Sequence, residues 1–271
     1  EKKDYKDFVK RLVSLVHLYQ RDGLNYAKHI FDIQAEISTP QAGSSSERTA
    51  QVTLSTVDNA PIYYTLDGSQ PSEKSQQYDD TGITIDKTTQ LQAIAIRPNG
   101  SNSRGLKRDF FFNKATFCPI QLTGIQPSPK YTYAGAPMLV DGQRGSDNFA
   151  SGDWLGFIGG DITAVIDLGK SGNEIKSVAT HGFVSLGDWI MGCKEMRIAI
   201  SDDGQSYREI ATKAFPVKTA PGTRGIEDYS IDFDPVQTRY VQLTLKTAVL
   251  PEGHNGAGKP AFLFLDEIEI N

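Results

Sequence analysis

The chain has 271 residues, 38% hydrophobic and 23% charged, with a formal net charge of −5, a length that suggests about two domains. The acidic balance and the absence of a Lys/Arg tract exclude a nucleic-acid binder. No run approaches the ~18 apolar residues that a membrane span needs.

The chain opens on a helical pattern, with no signal peptide before it, as an excised piece of a longer protein would. Tyr5, Phe8, Val9, Leu12, Leu15, Val16 and Tyr19 recur at three- and four-residue steps, and Asp22-Gly23 is a stop signal. A short second helical piece is expected over 24–30. The apolar stripe must be covered by something, and nothing after residue 40 reads as a helical partner. Residues 38–49 form a polar loop.

β structure follows. Strands are predicted over 51–57, 61–66, 82–85, 91–96 and 109–112, with turns at Asp67-Gly68 and 98–101. Short strands at this spacing predict a small β-sandwich. From Thr116 the strands are longer: 163–168, 175–184, 195–201, 207–212, 227–233, 239–247 and 261–270. Alternation of Met196, Ile198 and Ile200, and of Val241, Leu243 and Leu245, with polar neighbours marks half-buried antiparallel strands. About 155 residues of this kind fit a jelly-roll sandwich. The two cysteines, Cys118 and Cys193, lie in separate predicted elements and are either free buried thiols or a single bridge.

Three stretches carry family resemblances. PIYYTLDGSQPS at 61–72, with the later Leu91-Gln92-Ala93-Ile94-Ala95 run, resembles the chitobiase/β-hexosaminidase C-terminal domain, a small immunoglobulin-like β-sandwich. Residues 139–271 resemble a discoidin domain (coagulation-factor type C), whose sugar-binding members form carbohydrate-binding family 32. The matching pieces are Leu139-Val140-Asp141-Gly142, 164–169, 200–207, Arg239-Tyr240-Val241 and Asp266-Glu267-Ile268-Glu269-Ile270. Residues 1–37, through Phe8-Val9-Lys10-Arg11-Leu12 and Gly23-Leu24-Asn25-Tyr26-Ala27, resemble the last helix of the barrel of family 20 glycoside hydrolases. The order implies the C-terminal part of a secreted, periplasmic or cell-surface bacterial β-N-acetylhexosaminidase. The expected fold is mostly β: a helical barrel remnant at 1–37, an immunoglobulin-like β-sandwich at 38–115 and a discoidin-type jelly-roll β-sandwich at 116–271.

Family 20 enzymes use an Asp-Glu pair after a His-x-Gly-Gly strand end, with the substrate acetamido group as nucleophile. The one Asp-Glu pair here, Asp266-Glu267, lacks that context. Neighbours on a regular strand point to opposite faces, so the two carboxylates are not expected to share a sugar. His17, His29, His181 and His254 show no metal-ligand spacing, there is no Gly-x-Ser-x-Gly elbow, and 156–160 lacks the Lys-Ser/Thr of a phosphate loop. No catalytic residue is therefore assigned to this chain, and its hydrolytic partner is its own barrel.

The discoidin resemblance implies a structural Ca²⁺ held by Asp141 and Glu267 together with backbone carbonyls, and Ser146 and Asp147 are nearby residues that could add oxygens. The alternative is that Asp141 caps a turn and Glu267 is a solvated strand residue. Sugar binding needs an aromatic face and planar polar groups. The candidates are Trp154, Trp189, Arg144, Phe262, and His254 and Asn255 in the loop 251–260. Against this, both tryptophans sit among apolar residues, as core side chains do. Glycans are the expected ligand; purely structural or protein-adhesion β domains are the alternative.

Overall fold

The computed structural model describes residues 5–24, 28–39, 48–98, 100–169 and 173–271. The chain divides into two compact units: 1–39 with 49–110, and 40–48 with 111–271.

The first unit begins with α1 (Tyr5–Arg21). Asp7 lies in its first turn and Arg21 in its last, complementing the helix dipole. Val16 is buried, but Phe8 and Leu15 on the same stripe remain exposed, as does Leu18 away from it. The side chains of Tyr5 and Val9, and residues 25–27 of the expected second helix, lie outside the described set; Lys28–Phe31 is a single 3-10 turn. Residues 34–37, expected as the end of the helical remnant, instead belong to a strand.

That strand, β1 (Gln34–Ser38), pairs with β2 (Ala50–Ser55), and β2 with β5 (Ile83–Ile85). A second sheet has the order β4-β3-β6-β7, from β3 (Ile62–Thr65), β4 (Gln76–Gln77), β6 (Thr89–Ala95) and β7 (Leu106–Phe110). Val52, Leu54, Ile85 and Leu91 are buried in this unit, each from a strand that alternates inward and outward, and Phe110 is buried at the end of β7.

The second unit is a larger antiparallel sandwich. One sheet has the order β13-β12-β15-β10-β8, from β8 (Ile120–Leu122), β10 (Ile162–Asp167), β12 (Glu195–Ser201), β13 (Arg208–Ala214) and β15 (Tyr240–Lys246). The other runs β14-β11-β16-β9, from β9 (Leu155–Ile158), β11 (Asn173–Ser185), β14 (Arg224–Thr238) and β16 (Phe262–Ile270). Sequence neighbours are split between sheets, as in a jelly roll. The core includes Ile166, Val178, Ile198, Leu243, Leu263, Leu265 and Ile268.

Register places the loops. Glu195 faces Lys246 and Ala214, Ile162 faces Leu245, and Phe262 faces Ile158. The segments 159–161, 186–194, 215–223 and 247–261 therefore gather at one end of the sandwich.

Candidate functional site

At that end the chain leaves β11 through a 3-10 turn, Leu186–Asp188, and arrives at Trp189 in the left-handed region, φ 66° and ψ 25°. A bulky residue there is strained by roughly 1–2 kcal/mol. Two hydrogen bonds hold it: Trp189 N–H donates to Leu186 O at 3.1 Å, and Phe262 N–H to Trp189 O at 2.8 Å. The indole is half-buried. His254 meets it edge-on at 5.8 Å, and Lys259 Nζ lies over its ring at 5.5 Å.

His254 fixes the loop 251–260. Its Nδ1 accepts the Gly256 N–H at 3.1 Å, and its Nε2 lies 3.1 Å from Leu186 O. An amide can only donate, so Nδ1 is the unprotonated nitrogen and Nε2–H the donor. Gly256 is required because a Cβ there would stand 2.8 Å from Trp189 Cη2. Asn255 is exposed. Beside Trp189, Asp188 accepts from Ser185 Oγ at 2.6 Å and pairs with Arg224 at 3.4 Å.

Trp189, His254 and Asn255 are thus brought together, and Phe262 joins them only through its backbone. Its ring turns to Tyr131 (5.7 Å) and Phe264 (5.8 Å). Trp154 is not a surface platform: it is 0% exposed, packs edge-on to Phe183 and donates from Nε1 to Ser146 O at 2.9 Å. Arg144 is elsewhere as well. It pairs with Glu269 and lies 4.1 Å over Phe111, and Glu269 stands roughly 23 Å along β16 from Phe262.

The expectation that Asp266 and Glu267 face opposite ways is overturned by a β-bulge. Thr180 pairs with Ile268 but Gly182 with Leu265, so β16 carries one extra residue between those pairs. Leu263 and Leu265 point into the core, and so do Ile268 and Ile270 after the phase change. Both acids are left facing the loop 141–146. Glu267 Oε2 accepts the Gly142 N–H at 3.1 Å, and Asp266 Oδ2 the Gly145 N–H at 2.8 Å. Both are buried, at 0% and 2% exposure, so Glu267 is no solvated strand residue.

Burial, then the nearby Asp141 and Asp266 charges, drives the Glu267 carboxyl well above the usual range. Burial raises Asp141 to about 7, with Asp266 and Asp153 adding to it. His181 Nδ1 lies 3.1 Å from Asp266 Oδ1; burial opposes its charge, but the Asp266 carboxylate outweighs that and raises its pKa. Among the described residues, no three His, Cys, Asp or Glu side chains converge as metal ligands. Ser146 Oγ and Asp147 give no side-chain bond to these carboxylates; Ser146 Oγ instead meets Ser151 Oγ at 3.0 Å.

Sequence reasoning missed Asp188, Arg224, Lys259 and His181. Lys259 stood in the right loop, but its place over Trp189 depends on the Leu250 N–H to Lys259 O bond (2.9 Å) that folds that loop back. Arg224 lies 36 positions from Asp188, and no motif joins them. The first unit offers an open groove of about 570 Å³ near Asp67 and Lys87, but only Thr, Leu, Asp and Lys line it.

Residues 40–106 match the family model of the chitobiase/beta-hexosaminidase C-terminal domain. No curated protein sequence matches the chain. Among solved structures it is similar to SpGH29, at 13% identity and a TM-score of 0.37, over 59% of this chain and 27% of that one. It is also similar to chitosan-binding module 1 from a chitosanase/glucanase of Paenibacillus sp. IK-5 (16% identity, TM-score 0.37, 59% of this chain and 98% of that one). The CBM32 of AlyQ, solved with 4,5-unsaturated mannuronic acid, is similar at 14% identity and a TM-score of 0.34, over 56% of this chain and 93% of that one.

Proposed function

For a chain whose residues 40–106 match the chitobiase/beta-hexosaminidase C-terminal domain, we propose a non-catalytic role: glycan binding by the second unit, in the service of a β-N-acetylhexosaminidase barrel. The observation that carries this reading is Trp189. A half-buried indole held in a strained left-handed backbone, braced by His254 and Gly256, is a preorganised apolar face at a loop end. Such a face would take the C–H side of a pyranose, with Asn255, Asp188 and Arg224 as the neighbouring polar groups for its hydroxyls. Binding there would hold the enzyme near its polymer and raise the local substrate concentration. A secreted or cell-surface bacterial protein is the setting in which this role makes sense.

The exposed Phe8, Leu15 and Leu18 of α1 favour contact with a preceding barrel. A glycan array tests the main reading. Binding that Trp189→Ala abolishes is expected. A blank array, with a large interface between this chain and the barrel, would favour purely structural domains instead.

Asp141 and Glu267 also fit a structural Ca²⁺. Their buried carboxyls repel one another, and a hard divalent cation would offset that repulsion. Carbonyl oxygens of the loop would have to complete the shell. The ion would supply charge neutralisation and hold that loop against β16. Calorimetry of EDTA-treated protein is expected to show heat on Ca²⁺ addition and a raised melting temperature; neither signal would leave the two acids as turn and strand residues only.

A further inference from the structure

The charges around Trp189 are not balanced. Asp188 is answered by Arg224 at 3.4 Å and by the Ser185 hydroxyl at 2.6 Å. His254 is neutral by its hydrogen bonds, since Nδ1 accepts the Gly256 N–H. Lys259 is exposed, lies 5.5 Å over the indole ring, and forms no ion pair among the described residues. Glu252 and Asp161, in segments at the same end of the sandwich, are both exposed acids. One ammonium therefore stands over the platform with only the ring beneath it.

An ammonium over a half-buried aromatic face is held only weakly by the ring. A ring substituent lying against the indole would come within reach of Nζ. A neutral sugar would disturb the cation–π contact and return only a hydroxyl. A carboxylate would return an ion pair and a charge-assisted hydrogen bond. We infer that the Trp189 platform selects acidic sugars, with the uronate carboxylate paired to Lys259. This rests on the glycan-binding reading of the same site and adds the ligand class to it.

The test uses the full chain and a panel of uronate oligosaccharides, each measured beside its methyl ester, which keeps the sugar and removes the charge. The acid forms are expected to bind about fivefold more tightly at low salt, the scale of one exposed ion pair. That margin should shrink at 0.5 M NaCl. Lys259→Gln should erase it without loss of ester binding, and Lys259→Glu should reverse it. Equal binding of acid and ester, still abolished by Trp189→Ala, would overturn the inference and leave the glycan site standing. Binding of neither form, by a protein that melts normally, would overturn both.

Discussion

Gly145 passes directly under Trp154: a Cβ on it would stand 2.1 Å from the indole Cε2. The loop and the tryptophan are therefore one packed object, tied again by the indole N–H to Ser146 O. Gly145→Ala is expected to destabilise the protein severely, because the obstacle is a fully buried ring with no room to move. Trp154→Ala should cost about 3–5 kcal/mol. Denaturant unfolding checks both.

Trp189 should behave differently. Trp189→Gly removes partly buried surface but also relieves a left-handed bulky residue, by roughly 1–2 kcal/mol. The two effects oppose, so the unfolding midpoint is expected to move little while glycan binding is lost. A large drop in midpoint would show that the indole is a core residue, as Trp154 is.

Stability should fall as pH rises through neutrality in the absence of divalent ions. Asp141 has an ordinary value of 3.8 and is raised to about 7, so the folded chain holds a proton that the unfolded chain releases. Stability from this group is complete below about 4 and is lost as pH climbs through about 7. His181, also raised, acts in the same direction, starting from 6.5. Melting temperatures in EDTA should decline from pH 5 to pH 8, and Asp141→Asn should flatten the slope. A rising profile would contradict the burial of these groups.

Cys118 and Cys193 are free and buried, and burial pushes their thiols up to about 11 and about 12. A thiolate is the reactive form. Native protein is expected to resist thiol reagents at pH 8, and unfolded protein to react at two sites. Fast labelling before unfolding would show that these elements open.

His254→Ala should loosen the loop 251–260 and the Trp189 face it braces, and leave the sandwich intact. It removes the bonds to Leu186 O and from Gly256 N–H, both partly buried, so amide exchange is expected to quicken across 249–261 while β15 and β16 stay protected.

Much of this was legible from periodicity. The alternation of Val241, Leu243 and Leu245 announced β15, and the three- and four-residue spacing announced α1. β1 was not legible, because Gln34–Ser38 is short and half polar and gains its place only by pairing with β2. The site was half legible. Trp189, His254 and Asn255 could be named because aromatic and polar residues in long loops stand out. The separation of Trp154 from Trp189 could not, since it turns on Gly145 packing against one indole and on a loop fold-back against the other. The bulge was hidden for a related reason: Leu265-Asp266-Glu267-Ile268 has no mark that breaks a period of two, and the phase slip is decided by the partners on β11.

β16 lies between β11 and β9 in its sheet, although it is the last strand of the chain described here. During synthesis, β11 and β9 wait roughly 80–100 residues for the segment that joins them, at a cost of seconds at ordinary elongation rates. Until 262–270 leave the ribosome, both present unpaired edges. A stop codon ahead of residue 262 would therefore leave a chain open to self-association rather than a shortened but working module.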